Sequence, residues 1–272
     1  MPTYITDAQQ SSLDDTWQGD EIPSEKDTHA TLIMFHNVNG LAAKGATGMD
    51  TFAHEQVLLQ VDVQGFSEHC LDTTKFRITN TIHERLQRYY PGQHSLQLQS
   101  SDEGAVNVYK PGGTGILAIG NIVGRQEPNG KGGDSLGRWS YMHFRRKEAP
   151  PLTVITAYQV CSRPTNILGN TAYHQQVRAL SMQGRHTIPP RQAFIQDLCQ
   201  FIKGLQEKGH EIILGGDFNE TLDANNSGIL KLITNTNLTD PFLYRFPHHP
   251  DFGTHVMGRK RIDLVFVTPA LI

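Results

Sequence analysis

The stretch Glu211-Ile212-Ile213-Leu214-Gly215-Gly216-Asp217-Phe218-Asn219-Glu220 runs from an apolar triplet through two glycines into a carboxylate, an amide and a second carboxylate. A short apolar run bounded by turn residues predicts a buried strand. Ending such a strand on Asp217 and Asn219 is costly unless these groups are paired or used.

Other apolar runs end in the same way. Thr31–Phe35 leads into Asn37 and Asn39, Val61–Phe66 into Glu68, and Leu152–Tyr158 closes on Tyr158 itself. Ile262–Val267 carries Asp263 near its start, and Gly115–Ile119 is a further strand-length run. Each feature alone has an ordinary reading. His36-Asn37-Val38-Asn39-Gly40 is a turn composition, Glu68 a surface residue, Asp217 a turn cap and Tyr158 a core ring with a wet hydroxyl. Together they place carboxylates, amides and a phenol at strand ends, which predicts one convergent site. Hard oxygen ligands of this kind suit Mg²⁺ or Mn²⁺ better than zinc.

Helical periodicity lies between the strands. Ile78, Ile82, Leu86 and Tyr89 share one face, with Thr73 or Thr74 placed as caps. Phe194, Leu198, Phe201, Ile202 and Leu205 form a second stripe, opened by Pro190 and closed by Gly209. The segments 101–114, 124–138 and 159–190 read as long loops. Residues 1–28, polar and acidic, read as a disordered tail, and 29–272 as one α/β domain.

The totals exclude several classes. No apolar run reaches the ~20 residues of a membrane span, and the start lacks a signal-peptide core. The expectation is an intracellular protein that makes no membrane contact, with nucleus and cytoplasm left open. Cys70, Cys161 and Cys199 form no CxxC pair, so neither a disulfide framework nor a zinc site is indicated. A net charge of −3 makes the chain no general polyanion binder, so any such site is local. Arg138, Arg145, Arg146, Lys147 and Arg259–Arg261 are the basic candidates for a DNA backbone, or else solvated strand ends.

The ordered motifs resemble the endonuclease/exonuclease/phosphatase superfamily, which includes deoxyribonuclease I and the exonuclease III-type apurinic endonucleases. Phe35–Leu41 looks like its N-terminal Asn motif. Asp62–Asp72 is similar to its D-I-x-x-x-Q-E strand, with Ser67 in place of Gln. Gly112–Ile119 resembles the glycine-led strand, Ile213–Glu220 the G-D-F-N motif, and Gly253–Phe266 the segment ending in R-I-D. The resemblance spans Thr31 to Val267. Tyr109–Ile116 and the stretches Tyr173–Leu180, Pro189–Leu198 and Gly216–Glu220 are similar to endonuclease domains attached to reverse transcriptases of retroelements.

The resemblance implies a deoxyribonuclease I-like four-layer fold, with two mixed β-sheets packed as a sandwich flanked by helices. It implies a divalent-metal-dependent phosphodiesterase, a DNA endonuclease that nicks its target and acts with a reverse transcriptase. Glu68 and Asn37 would hold the metal. Asp217, Asn219, Tyr158 and Asp263 would be catalytic, with Asp217 as base and Asp263 orienting a histidine. Asn39, Arg138 and Arg261 would bind substrate. The family pattern closes with Ser-Asp-His, which does not occur in these 272 residues. The expectation is therefore a domain lacking its last strand and catalytic histidine, with poor activity and an exposed sheet edge, and His255 as the nearest substitute. A phosphatase or lipid phosphodiesterase, and an inactive nucleic-acid-binding or interaction module, are the competing readings.

Overall fold

In a computed structural model, residue 20 and residues 26–41, 45–103, 109–161, 169–224, 227–249, 252–254 and 258–272 are described. Most of the 1–28 tail, and His255, lie outside them. Lys26 already holds the domain: its Nζ donates to Asp62 Oδ1 and Oδ2 at 2.8 Å and to the Gln60 carbonyl at 3.1 Å.

The first sheet contains β1 (Ile33–Asn37), β2 (Val63–Ser67), β3 (His94–Gln99) and β4 (Thr114–Ile119), in the order β1-β2-β4-β3. The second contains β5 (Gln126–Gly133), β6 (Trp139–Arg146), β7 (Ala149–Tyr158), β8 (Glu211–Asp217) and β9 (Asp263–Val267), in that order. Within each sheet one neighbouring pair is parallel, β1 with β2 and β7 with β8, and the remaining pairs are antiparallel. Both sheets are mixed, as expected.

Helices α1 (Gly45–Leu58) and α2 (Phe76–Tyr89) cover the first sheet. Phe52, Ile82 and Leu86 pack there on Phe66, Leu96 and Leu117. Helices α3 (Ala172–Met182), α4 (Pro190–Glu207) and α5 (Gly228–Thr236) lie on the side of the second sheet, where Phe194, Leu198 and Ile202 of α4 meet Ile212, Leu214 and Phe266. A short helix α6 (Pro241–Arg245) follows. Between the sheets lie Val63, Ile116, Met142, Phe144 and Val154, with Phe35 against them. Fully burying a side chain of this size contributes about 1.5–3 kcal/mol.

Several local expectations are corrected. Segment 124–138 contains β5, whose Pro128 and three glycines hide an edge strand paired, among the described residues, with β6 alone. Segment 159–190 contains α3, whose buried face carries His174, Gln175 and Gln176 beside Ala179 and Leu180, a mixture without apolar periodicity. Helix α2 starts from Lys75 with no side-chain cap, and Asp72 accepts from the Thr74 amide instead. The outer edge of β9 is partly closed, because Thr239 and Val267 exchange backbone hydrogen bonds of 2.8 and 2.9 Å.

Candidate active site

Strand direction and register bring the polar ends together. Parallel pairing of β7 with β8 sets Tyr158 beside Asp217, and antiparallel pairing of β8 with β9 sets Asp217 beside Asp263. In the other sheet, parallel β1 and β2 place Asn37 opposite Ser67, one residue before Glu68. The carboxyl ends of two parallel pairs thus meet at one seam between the sheets. Open α/β sheets commonly bind ligands at such strand ends.

Asn37 joins the two halves. Its Nδ2 donates to Glu68 Oε2 and to Asp217 Oδ2, both at 2.9 Å. These carboxylate oxygens are therefore within about 6 Å of each other, close enough to act on one phosphate. Asn37 Oδ1 accepts from the Asn39 amide at 2.9 Å, which fixes the side-chain amide in this orientation. The Tyr158 hydroxyl donates to Glu68 Oε1.

The backbone at Glu68 is unusual. Its φ is +54°, a left-handed conformation that a glutamate rarely adopts. Its amide donates to the Gly113 carbonyl at 2.8 Å, and its carbonyl accepts from Gly40 at 2.7 Å. Gly113 itself has φ +89°, and a Cβ there would stand 2.4 Å from His69 Cε1. Neighbouring loops thus hold Glu68 in a conformation of order 1–3 kcal/mol above its relaxed state.

Electrostatics mark Asp217. It is 5% exposed, and its pKa is pushed up to about 7, first by burial and then by the negative charge of Asp263; Glu68 adds to the rise, while bonds from Asn219 and Asn37 oppose it. Burial and the charge of Glu68 also raise the Tyr158 phenol well above its ordinary value. The charges acting on Asp217 are thus both negative. Such a seam fits a divalent cation through the Glu68 carboxylate, a hard donor, because Mg²⁺ needs only one or two carboxylates when water and phosphate complete its shell; Asn37 here turns its NH₂ to both carboxylates and its oxygen to the Asn39 amide. Among the described residues no three His, Cys, Asp or Glu side chains gather as a closed metal cage.

Other residues expected from sequence are placed differently. Asn219 is at the seam with φ +47°, but its Nδ2 is spent on the Gln159 carbonyl at 2.9 Å and its Oδ1 accepts from Cys161 Sγ at 3.2 Å. Its backbone amide donates to Asp217 Oδ1 at 2.9 Å, which makes it a positioning group. Asn39 is exposed and acts here through its amide. Arg138 is not a surface contact. It is 3% exposed, with its guanidinium held by Asp134 at 2.7 Å and Asp197 at 2.8 Å. Arg261 pairs with Asp240 at 2.6 Å and lies over Phe242, because β9 and α6 pack there.

Two residues of the site escape the sequence reading. Arg191 donates to the Val160 carbonyl at 2.7 Å and to Glu220 Oε2 at 3.0 Å, bracing the loops after β7 and β8. Its sequence signal is weak: one arginine after two prolines at the start of α4. Cys161 reaches the seam only because it lies three residues past Tyr158.

A two-sheet α/β sandwich with an acidic seam at its strand ends defines the architecture as deoxyribonuclease I-like. The sequence itself matches no protein-family model and no curated protein. Solved structures match in fold. An AP endonuclease from Leishmania major is 15% identical, with 88% of this chain and 78% of that chain covered at TM-score 0.59. The 3′ phosphatase NExo from Neisseria, bound to a product DNA hairpin, is 17% identical, with 89% and 88% covered at TM-score 0.52. An endonuclease/exonuclease/phosphatase family protein from Leptotrichia buccalis is 15% identical, with 88% and 87% covered at TM-score 0.52. The chain therefore has the fold of endonuclease/exonuclease/phosphatase proteins.

Proposed function

We propose that this protein is a divalent-metal-dependent phosphodiesterase acting on DNA. The observation that carries this reading is the Asn37 amide bridging Glu68 of one sheet and Asp217 of the other, with the Tyr158 hydroxyl on Glu68. A cation at Glu68 would neutralise phosphoryl and leaving oxygens. The protein's own groups supply the rest. Asp217, with its pKa near 7, takes a proton from the attacking water near neutral pH. Tyr158 keeps its proton and turns it toward a phosphate oxygen. Asn219 holds Asp217 through its backbone amide.

DNA as the substrate draws support from the fold shared with an AP endonuclease and with a phosphatase that holds a DNA hairpin. The similarity of Tyr109–Ile116 to retroelement endonuclease domains favours nicking of a target strand beside a reverse transcriptase. The test is nicking of supercoiled plasmid with Mg²⁺, with Mn²⁺ and with EDTA. Weak cleavage with either metal, in keeping with the absent Ser-Asp-His segment, abolished by EDTA, by Glu68→Gln and by Asp217→Asn, is the expected result. Binding without nicking would return the protein to the role of a nucleic-acid-binding module, and hydrolysis of inositol phosphates in place of DNA would make it a phosphatase.

A further inference from the structure

β2 ends at Ser67, so Glu68 belongs to the segment that follows it, and residues 68–72 run beside 109–113, the approach to β4. Three backbone bonds join the two segments. The Glu68 amide donates to the Gly113 carbonyl at 2.8 Å, the Cys70 amide to the Gly112 carbonyl at 2.9 Å, and the Lys110 amide to the Cys70 carbonyl at 3.2 Å. Cys70 Sγ adds a bond to the Tyr109 hydroxyl at 3.2 Å. Left-handed residues bend both segments: Glu68 at φ +54° and Cys70 at +57° on one side, Gly112 at +84° and Gly113 at +89° on the other. The glycines take this conformation freely, whereas Glu68 and Cys70 keep it only because their surroundings hold them there.

A buried ion pair closes the far end of this paired stretch. Lys110 Nζ lies 3.3 Å from Asp72 Oδ1, and the two side chains are 1% and 2% exposed. Asp72 Oδ1 also accepts from the Thr74 hydroxyl at 2.6 Å and from the Thr74 amide at 3.2 Å. Such a pair is a poor device for stability. Desolvating both charges takes back most of their attraction, and well-packed apolar side chains in the same space often serve as well or better. What the pair does restrict is geometry, because a buried ammonium must stay beside its carboxylate.

We propose that Lys110 and Asp72 are positioning residues for Glu68: their ion pair holds segments 68–72 and 109–113 together and so fixes the strained backbone from which the Glu68 carboxylate reaches a divalent cation. The assignment rests on the phosphodiesterase reading, since it takes Glu68 as the ligand of that cation. Asn37 and Tyr158 hold the tip of the carboxylate from two other strands. The ion pair holds its root. Without the pair the backbone at Glu68 relaxes toward an ordinary conformation and turns the carboxylate away from the seam.

The test measures Mn²⁺ binding to the intact 272-residue protein, without DNA, by the loss of the free-ion EPR signal. Lys110→Met combined with Asp72→Asn removes one charge of each sign, so the net charge is unchanged and a shift in affinity reports geometry. The asparagine keeps an acceptor for Thr74. An unfolding midpoint close to that of the wild type, with Mn²⁺ bound about tenfold more weakly, is the expected result, since outer partners of metal ligands act on this scale. Unchanged Mn²⁺ binding by the folded double variant would overturn the positioning role and leave the phosphodiesterase reading intact. If that variant does not fold, Lys110→Leu with Asp72→Leu takes its place. Loss of the fold in both would also overturn the role, because the pair would then act on stability alone. Wild-type binding that Glu68→Gln leaves unaltered, or no binding at all, would overturn both readings.

Discussion

Asp217 is buried among like charges, and its raised pKa of about 7 has a thermodynamic sign. A carboxyl whose folded-state pKa lies above its unfolded value takes up a proton on folding. The resulting penalty is absent below about pH 4 and grows as pH rises toward 7. Asp217→Asn removes it. At pH 8 this variant is expected to be more stable than wild type by about 1–3 kcal/mol, with the gain vanishing near pH 4. The same change should cost cleavage at least ~10²-fold. A denaturant series at both pH values, paired with plasmid nicking, reads both effects, and an Asp217→Asn variant less stable than wild type at pH 8 would contradict the electrostatic account. Asp263→Asn takes away the neighbouring charge with the greater effect on Asp217 and should move the rising limb of the pH–rate profile to lower pH.

At the scale of elements, β8 depends on a missing side chain. A Cβ at Gly215 would stand 2.4 Å from the Phe35 ring, and one at Gly65 in β2 would stand 2.5 Å from the same ring. Phe35 thus fills a space that two facing strands leave open. Gly215→Ala forces that ring aside within a close-packed core and is expected to cost about 1–3 kcal/mol. Thermal unfolding checks this, and Gly215→Ala combined with Phe35→Leu should recover part of the loss. Legibility in the sequence follows the same line between buried and exposed. β1, β4, β7, β8 and β9 are legible because each contains an apolar run, and β2 because Val61, Val63 and Phe66 fall within one short stretch. β3, β5 and β6 are not: His94–Gln99 has no β-branched residue, β5 is rich in glycine, and β6 mixes Trp139, Met142 and Phe144 with polar partners. At the seam, Asn37, Glu68, Tyr158, Asp217 and Asp263 are legible because polar groups end apolar strands. Arg138 is misread because sequence shows a charge but not the Asp134 and Asp197 that bury it.

For the whole molecule, acid should loosen the fold through histidines held neutral. His69 is fully buried and its pKa is pushed down to about 4 by that burial, although bonds to Gln99 and Thr114 oppose the shift. Its Nδ1 accepts from the Leu71 amide at 3.0 Å, so a proton there would face an N–H. His143 is also lowered to about 4, first by burial and then by His210, whose ring centroid is 4.7 Å away. A histidine with a depressed folded pKa contributes stability that is present above about pH 6.5 and lost as pH falls toward 4. The expected loss between pH 7 and pH 4 is on the order of 2–3 kcal/mol for His69 and less for the partly exposed His143. Chemical denaturation across this range measures it, and His143→Gln should flatten the curve in part. Asp217 changes stability in the opposite sense over the same range, so the measurement is made in the Asp217→Asn background, where a flat stability profile would refute the buried-neutral assignment.

The bridging amide of Asn37 also ties the proposed catalysis to heredity. Half of the site travels with each sheet, and the packing between the sheets bears on whether Glu68 and Asp217 stay within reach of one nitrogen. Phe35 lies against both Gly65 and Gly215, one from each sheet, where neither position has room for a Cβ. In a library of variants selected only for cleavage, these three positions should therefore drift as a group, each accepting change when the others compensate. Survivors with an enlarged residue 215 and an unaltered Phe35 should be missing from the selected pool.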